Sequence, residues 1–215
     1  MSQPRWAVVV PVKRLTVAKS RLRGALPGVP HEELALALAA DTLRAVLACP
    51  AVAEALVVTD DHRVARAARA VGARTLADLP DAGLNAAFRH GAAQTPARWV
   101  VGLTADLPAL RPDELAAALL AAQHGPTGVR RFVADAPGTG TVLLAAPPGV
   151  DLDPRFGIGS AVVHEVSGAL PLTGDWPSLR RDVDTAGDLA DAARLGLGPR
   201  TAALLAAGCP ARATS

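Results

Sequence analysis

Five cationic side chains crowd one short segment near the N-terminus, residues 11–23, together with two hydroxyls. Two of these cations, Lys13 and Lys19, are the only lysines among 22 basic residues. The segment follows an apolar run over residues 6–12, which is typical of a strand buried on both faces of a parallel sheet. Ligands of open parallel sheets bind at the carboxyl ends of strands. The position and charge of the segment therefore favour phosphate binding.

The same segment lacks the glycine spacing of a Walker A loop and of the dinucleotide-binding fingerprint. Both of those enzyme classes are disfavoured. The alternative to a phosphate-binding loop is a solvated basic loop.

Two aspartates follow predicted strands farther along the chain. Asp106 lies just past an apolar run at residues 98–104, and Asp184 lies just past a predicted strand at residues 179–183. Strand alternation points Asp182 the same way as Asp184. Because Mg²⁺ prefers one or two carboxylates together with phosphate oxygens and water, Asp106 and Asp184 are candidate ligands beside a triphosphate. Each has a second interpretation, since Asp106 can open a turn and either Thr185 or Asp184 can cap a helix that has Asp188 in its first turn.

Two glycine-rich stretches, residues 137–141 and 155–160, lie between these acids. Glycine lets backbone amides approach an anion closely. Ser160 is predicted to open a helix whose N-terminus would bind a phosphate or carboxylate, with His164 on the next turn. Either stretch can equally be an ordinary turn. Asn85, the single asparagine, either begins a helix or contacts a nucleotide base or ribose.

Alternating strand and helix patterns must position these side chains. Strands are predicted at residues 6–12, 55–59, 73–76, 98–104, 129–134, 141–145 and 179–183, and helices at 31–47, 64–71, 84–94, 112–123, 160–168 and 185–195. This alternation predicts an α/β fold with a mostly parallel sheet and helices on both faces. Residues 196–215 are expected to form a C-terminal tail or short helix. No internal repeat is found.

Length and composition bound the function. With 215 residues, half of them apolar, the chain is expected to form one domain over residues 1–215. A formal charge of +2 without long charged runs gives no general attraction to nucleic acid or membrane. Cys49 and Cys209 lack neighbours at metal-ligand spacing, so no zinc site or disulfide framework is expected, and a cytoplasmic location is favoured. The N-terminal apolar run is too short for a signal peptide or membrane span.

Several motifs occur in order along residues 6–190 and together resemble one family. They are Pro11-Val12-Lys13, Ala18-Lys19-Ser20-Arg21-Leu22, Leu84-Asn85-Ala86, Asp106-Leu107-Pro108, Gly138-Thr139-Gly140-Thr141, Phe156-Gly157-Ile158-Gly159-Ser160 with His164, and Asp182-Val183-Asp184-Thr185 with Asp188-Leu189. The set resembles the 2-phospho-L-lactate guanylyltransferase family of deazaflavin coenzyme F(420) biosynthesis, including its phosphoenolpyruvate guanylyltransferase branch. Each motif alone is weak, whereas their shared order is specific.

The resemblance implies a single-domain, Rossmann-like nucleotidyltransferase fold of the glycosyltransferase-A type. It also implies GTP as donor, a small phosphorylated three-carbon acid as acceptor and Mg²⁺ as cofactor. By position, the resemblance implies catalytic roles for Lys13, Lys19 and Arg21, further nucleotide contacts from Pro11, Ser20 and Asn85, acceptor contacts from Thr141, Gly159 and Ser160, and metal ligation by Asp106 and Asp184.

One position departs from the family pattern. Many members have asparagine after the Gly-Thr-Gly-Thr motif, whereas this chain has Val142. The departure leaves open any side-chain contact from that position and its effect on acceptor choice. The alanine-rich, lysine-poor composition predicts an actinobacterial source, for which the resemblance favours phosphoenolpyruvate over 2-phospholactate. Oligomeric state stays open, with a homodimer as one possibility.

The expected reaction joins GMP from GTP to the acceptor's phosphate and releases pyrophosphate. The nearest alternative is a related nucleotidyltransferase of the molybdenum-cofactor or sugar-nucleotide type. A different class is a non-catalytic nucleotide-binding module, whose expected signature is the loss of the metal acids.

Overall fold

The computed structural model describes residues 5–16, 18–95 and 99–208, without the side chain of Ser20. The seven strands of its sheet are β1 Trp6–Pro11, β2 Val52–Val58, β3 Arg74–Leu76, β4 Trp99–Leu103, β5 Arg131–Ala134, β6 Thr141–Ala146 and β7 Leu170–Pro171. The helices are α1 His31–Ala48, α2 His62–Ala70, α3 Leu84–Ala93, α4 Pro112–Gln123, α5 Ser160–Val166, α6 Pro177–Arg180, α7 Ala186–Leu195 and α8 Pro199–Gly208, with a 3-10 turn at Ser20–Leu22.

The seven strands form one sheet in the order β3-β2-β1-β4-β6-β5-β7. Strand β1 pairs in parallel with β2 and β4, and β2 pairs in parallel with β3. Strand β6 is antiparallel to β4 and β5, while β7 is parallel to β5. The predicted α/β fold with a mostly parallel mixed sheet is confirmed.

The antiparallel direction of β6 places its first residues at the end of β4. Leu103 at the end of β4 pairs with Leu143 near the start of β6, and the Thr104 N–H donates to the Val142 carbonyl at 3.0 Å. The start of β6 therefore lies at the same sheet edge as the carboxyl ends of β1 and β4. Side chains more than thirty residues apart in sequence meet there.

The two faces of β1 are both covered, as its unbroken apolar sequence predicts. Val8 and Val10 belong to a core cluster shared with α1, α2 and α4, whereas Val9 belongs to a second cluster shared with α3 and α5. Helix α3 lies especially close to the sheet, because a Cβ built on Gly91 would be 2.3 Å from a methyl group of Val9. Helices thus pack on both faces of the sheet.

The predicted strand at residues 179–183 is wrong. Leu179 instead belongs to the short helix α6, which begins at Pro177, and residues 181–183 after this helix form no strand. Glu114 of α4 accepts the backbone N–H groups of Ser178 at 2.8 Å and of Leu179 at 3.4 Å. Satisfying these first-turn donors stabilises a helical turn, and that tertiary contact overrides the local pattern.

The C-terminal part of the described chain packs against α1. Buried Asp41 accepts the backbone N–H groups of Arg200 at 3.1 Å and Thr201 at 2.7 Å, which caps the first turn of α8. Cys209 and the residues after it lie outside the described ranges. None of the described helices is both long and apolar enough to cross a bilayer.

Candidate active site

Lys19 lies at the centre of a cluster formed by three separate loops. Its Nζ donates to Oδ2 of Asp106, after β4, and to Oδ1 of Asp184, before α7, the latter at 2.5 Å. The Val183 N–H donates to the Asp106 carbonyl at 3.0 Å, so the two acidic segments are joined without strand pairing. The structure therefore brings together three of the residues predicted from sequence.

The environment of Lys19 keeps its side chain protonated. Burial alone lowers the pKa of Lys19, but attraction to Asp106 and Asp184 outweighs it, and the net pKa is raised. The backbone of Lys19 has φ +53°, in the left-handed region that non-glycine residues rarely occupy. The loop thus adopts an uncommon conformation at the residue that meets the acids.

The loop that carries Asp106 is anchored by a buried hydroxyl. Thr42 Oγ1 of α1 accepts the Leu107 N–H at 2.9 Å and lies 3.2 Å from the Ala105 carbonyl. Asp106 Oδ1 is buried and has no hydrogen-bond partner in the described part of the chain. A buried carboxylate oxygen without a partner is costly, so this atom is suited to a cation ligand.

Asp182 is a third acid of this cluster and was not among the predicted site residues. Its pKa is raised to about 7 by burial and then by the negative charge of Asp106, with Lys19 opposing. The signal in the sequence was its spacing of two from Asp184. Even so, the described residues hold no group of three or more His, Cys, Asp or Glu side chains arranged to hold a metal ion.

Lys13 lies farther along the same edge and has different partners. Its Nζ is 2.9 Å from Oδ2 of Asp78 and 3.6 Å from Oδ1 of Asp81. The pKa of Lys13 is raised, mainly by the hydrogen bond to Asp78. Between the two lysines is a cavity of about 240 Å³, whose lining includes Pro11, Lys13, Lys19, Leu84, Phe88, Thr104 and Asp106.

The two other loop residues that were predicted to contact the nucleotide, Ser20 and Arg21, follow Lys19 directly in the chain. Arg21 is in the 3-10 turn with an exposed side chain. The predicted contact of Ser20 involves its side chain, which lies outside the described part of the structure. The structure joins Lys19 to the acids and gives Arg21 no comparable contact among the described residues.

A buried chain of hydrogen bonds supports Thr141 at the start of β6. The Arg155 N–H donates to Nε2 of His164 at 2.9 Å, and Nδ1 of His164 is 2.9 Å from Thr141 Oγ1. Because Nε2 accepts, the ring hydrogen is on Nδ1 and is donated to Thr141. Burial and then the charge of Arg130 lower the pKa of His164 to about 4, which keeps the ring neutral at pH 7. The Thr141 hydroxyl hydrogen is thereby left for another acceptor.

The glycine-rich stretch before Thr141 is shaped by Asp135. Its carboxylate accepts the N–H groups of Thr139 and Gly140, both at 2.8 Å. A Cβ at Gly140 would collide with Asp135 Oδ2, so a larger residue here would force the Asp135 carboxylate to shift away from these N–H groups. This tight turn sets the start of β6 beside the acid cluster.

Gly159 and Ser160 begin α5 as predicted. Gly159 has φ +69°, which suits glycine, and Ser160 is 2% exposed. The Ser160 N–H donates to Gly157, and the Ala161 N–H donates to the Thr139 carbonyl. These two N–H groups, which were predicted to bind an anion, therefore donate hydrogen bonds within the protein instead.

Asn85 and Val142 have structural roles in the described chain. Asn85 donates from Nδ2 to the Phe156 carbonyl at 3.0 Å and accepts the Phe156 N–H at 2.8 Å, which fastens the second glycine-rich stretch to α3. Val142 is completely buried in the larger core cluster. The position that departs from the family pattern thus contributes packing here.

Comparisons with known proteins identify the family of the chain. The model of the family "Guanylyl transferase CofC like" matches residues 6–165. The chain is 71% identical to a phosphoenolpyruvate guanylyltransferase of Salinispora arenicola, with 95% of each chain covered. It is 52% identical to one of Streptomyces coelicolor, over 94% of this chain and 96% of the relative.

Solved structures support the fold. A nucleotidyl transferase from Methanothermobacter thermautotroptrophicus has a TM-score of 0.62 at 19% identity, covering 90% of this chain and 98% of that one. A cytidylyltransferase from Leptospira borgpetersenii has a TM-score of 0.58 at 12% identity, covering 95% and 94%. The predicted nucleotidyltransferase fold is confirmed, and the chain belongs to the family of CofC-like guanylyl transferases.

Proposed function

We propose that this chain joins the GMP part of GTP to phosphoenolpyruvate and releases pyrophosphate, in the coenzyme F(420) pathway that the sequence resemblance implies. The structural observation that carries the proposal is the convergence of Asp106 and Asp184 on one cationic atom, Nζ of Lys19. The relatives named phosphoenolpyruvate guanylyltransferase support the choice of acceptor over 2-phospholactate.

The bond changes follow from the chemistry of phosphates. A phosphate oxygen of the acceptor attacks the α-phosphorus of GTP, and the bond from that phosphorus to the bridging oxygen of the β-phosphate breaks. Pyrophosphate leaves with the electron pair of that bond. A phosphate monoester is already mostly dianionic at pH 7, since its second pKa is about 6, so no general base is needed. The task of the protein is to bring anions together and neutralise charge.

Cations of the first loop supply part of that neutralisation. Lys19 is already held where the acids meet, and Lys13 lies across the cavity from it. In the presence of a triphosphate we expect both ammonium groups to exchange their carboxylate partners for phosphate oxygens. Arg21 is proposed to add a weaker contribution from the exposed turn, because exposed charges are screened by solvent.

The acid pair fits a magnesium ion. Asp106 and Asp184 both direct an oxygen at one cation, and Asp106 Oδ1 is buried without a partner among the described residues. Two carboxylates suffice, because Mg²⁺ takes its other ligands from water and substrate phosphates. When bound, the ion would supply charge neutralisation on the phosphates. Asp106 and Asp184 are therefore the proposed ligands.

The acceptor is proposed to bind beside β6. The free hydroxyl hydrogen of Thr141, directed by His164, would donate to its phosphate or carboxylate, with Gly159 and Ser160 alongside. Asn85 supports this wall through Phe156. A direct contact of Asn85 with the nucleoside, a homodimer and a cytoplasmic location stay predictions.

A substrate matrix tests the proposal. Pyrophosphate release is measured with each of four nucleoside triphosphates against phosphoenolpyruvate, molybdopterin-type and sugar-phosphate acceptors, with and without Mg²⁺. We expect release with GTP, phosphoenolpyruvate and Mg²⁺ together. Release with CTP and a sugar phosphate would instead assign the chain to the related nucleotidyltransferase class, and GTP binding without release would indicate a non-catalytic module.

A further inference from the structure

A second, smaller cavity lies at the β1–β2–β3 side of the same sheet edge. Its volume is about 170 Å³, and its lining consists of Val12, Lys13, Arg14, Asp60, Asp78 and Asp81. Its three carboxylates outnumber its two cations, Lys13 and Arg14, which makes this cavity less favourable for phosphates than the larger one. It is suited to a group that presents N–H donors.

Asp78 is the buried acid of this cavity. Its side chain is 6% exposed, and one oxygen, Oδ2, accepts from Lys13 at 2.9 Å. The other oxygen, Oδ1, is buried and has no hydrogen-bond partner among the described residues. The Asp78 N–H donates to Asp60 Oδ1 at 3.0 Å, which fixes the loop after β3. The buried carboxylate is thus held in place with unused accepting capacity.

We propose that Asp78 selects the nucleotide base by accepting hydrogen bonds from N1–H and the 2-amino group of guanine. The inference rests on the proposed function for the presence of a nucleotide donor. These two adjacent donors match the two oxygens of a carboxylate. Adenine presents an unprotonated N1 at the same place, which a carboxylate repels. Asp78 is therefore a specificity-determining residue.

The two roles of Lys13 and Asp78 are coupled. In the structure, Lys13 occupies Oδ2 of Asp78. Binding of GTP transfers Lys13 to the phosphates and frees that oxygen for the base. The ion pair thus keeps a buried carboxylate compensated until guanine replaces the ammonium as donor.

The first test uses the unmodified chain and measures equilibrium binding of GTP, ITP and ATP in Mg²⁺. ITP retains N1–H but lacks the 2-amino group, so one hydrogen bond to a charged acceptor is lost. We expect ITP to bind roughly tenfold more weakly than GTP, and ATP more weakly still. Equal affinities for GTP and ITP would overturn the proposal.

The second test is the Asp78→Asn variant with XTP, whose base has a carbonyl where guanine has the 2-amino group. The new amide donates to that carbonyl, so XTP should bind better than GTP. Asp81→Asn is the matched control, because Asp81 is an exposed carboxylate 3.6 Å from Lys13 and should leave the preference for GTP over XTP in place. A gain of XTP binding cannot come from misfolding.

The outcomes separate the possible errors. If Asp78→Asn weakens GTP, ITP and XTP equally, Asp78 only positions Lys13 and the proposal is wrong. If circular dichroism shows that the variant is unfolded, the GTP and ITP affinities of the unmodified chain still decide whether the proposal for Asp78 stands. If GTP binds selectively but no guanylated product forms with any acceptor, the proposed reaction fails while the role of Asp78 stands.

Discussion

Beside the end of β4, Lys19 shares its ammonium between two carboxylates, whereas at the start of β6 the Thr141 hydroxyl is held by a neutral imidazole. Asp184 in the first region has a half-exposed side chain, while His164 in the second is completely buried. Because Asp184 opens the first region to solvent, its charged partners can exchange when anions and metal arrive. A buried neutral network keeps one geometry. The region around Lys19, where GTP is proposed to bind, thus allows its ion pairs to exchange. The region around Thr141, where the acceptor substrate is proposed to bind, keeps a fixed orientation.

The largest expected effect is a loss of turnover on substitution in the charged region around Lys19. Asp106→Asn removes the negative charge of a proposed metal ligand while preserving shape, and turnover should fall at least about a hundredfold. Folding should change little, since one oxygen of Asp106 has no partner in the described structure. The measurements are kcat at saturating Mg²⁺ and the thermal melting temperature. Near-normal turnover in saturating Mg²⁺ would make the metal assignment wrong.

A smaller effect is expected when the cations of the first loop are compared. Lys19→Ala removes a partly buried charge from the phosphates and should reduce kcat/KM for GTP about tenfold or more. Arg21→Ala is the matched control, since its exposed charge is screened and should change kcat/KM less. Steady-state kinetics with varied GTP measures both. If Lys19→Ala has no effect on rate or GTP affinity, the loop is a solvated surface.

Substitutions in the neutral region around Thr141 should change KM for the acceptor substrate and leave KM for GTP unchanged. Thr141→Val removes the oriented hydroxyl and should raise KM for phosphoenolpyruvate about tenfold, with KM for GTP unchanged. His164→Ala should act in the same direction, and the double variant should be no worse than the more affected single variant. Thr141→Ser keeps the hydroxyl and should remain close to normal. Equal changes in both KM values would show general loss of structure.

The smallest effect concerns stability at alkaline pH. The folded-state pKa of Asp182, about 7, lies above the ordinary carboxyl value, so the folded protein binds the proton more tightly than the unfolded chain. This residue therefore lowers stability increasingly as pH rises from about 4 to 7. Asp182→Asn should raise the melting temperature by about 2 °C or more at pH 8 and have little effect at pH 4. No difference between the two pH values would contradict the shifted pKa.

Most strands and helices could be predicted from the sequence because their signals were local and strong. The apolar run of β1 and the proline at the start of α4 predicted the boundaries of these two elements to within about one residue. The segment around Leu179 could not be predicted, since its helix depends on Glu114, a residue 65 positions away. Strand β7, with only two residues, has too little sequence to carry a pattern.

The candidate site was predictable in its residue types and not in its pairings. Lys19, Asp106 and Asp184 were identified from position and family resemblance, but their direct contact depends on three loops meeting in space. Asp78 belongs to none of the motifs, and its burial beside Lys13 depends on the folded structure. Likewise, the sequence placed His164 on a helix without showing that it orients Thr141.

Mass spectrometry of the product tests the proposed reaction most directly. The chain is incubated with GTP, Mg²⁺ and equal concentrations of phosphoenolpyruvate, 2-phospholactate and 3-phosphoglycerate in one tube, with Asp106→Asn as the control protein. We expect guanylated phosphoenolpyruvate as the main product and almost none from the variant. A guanylated 2-phospholactate or 3-phosphoglycerate would contradict the acceptor assignment, and no guanylated product at all would contradict the reaction.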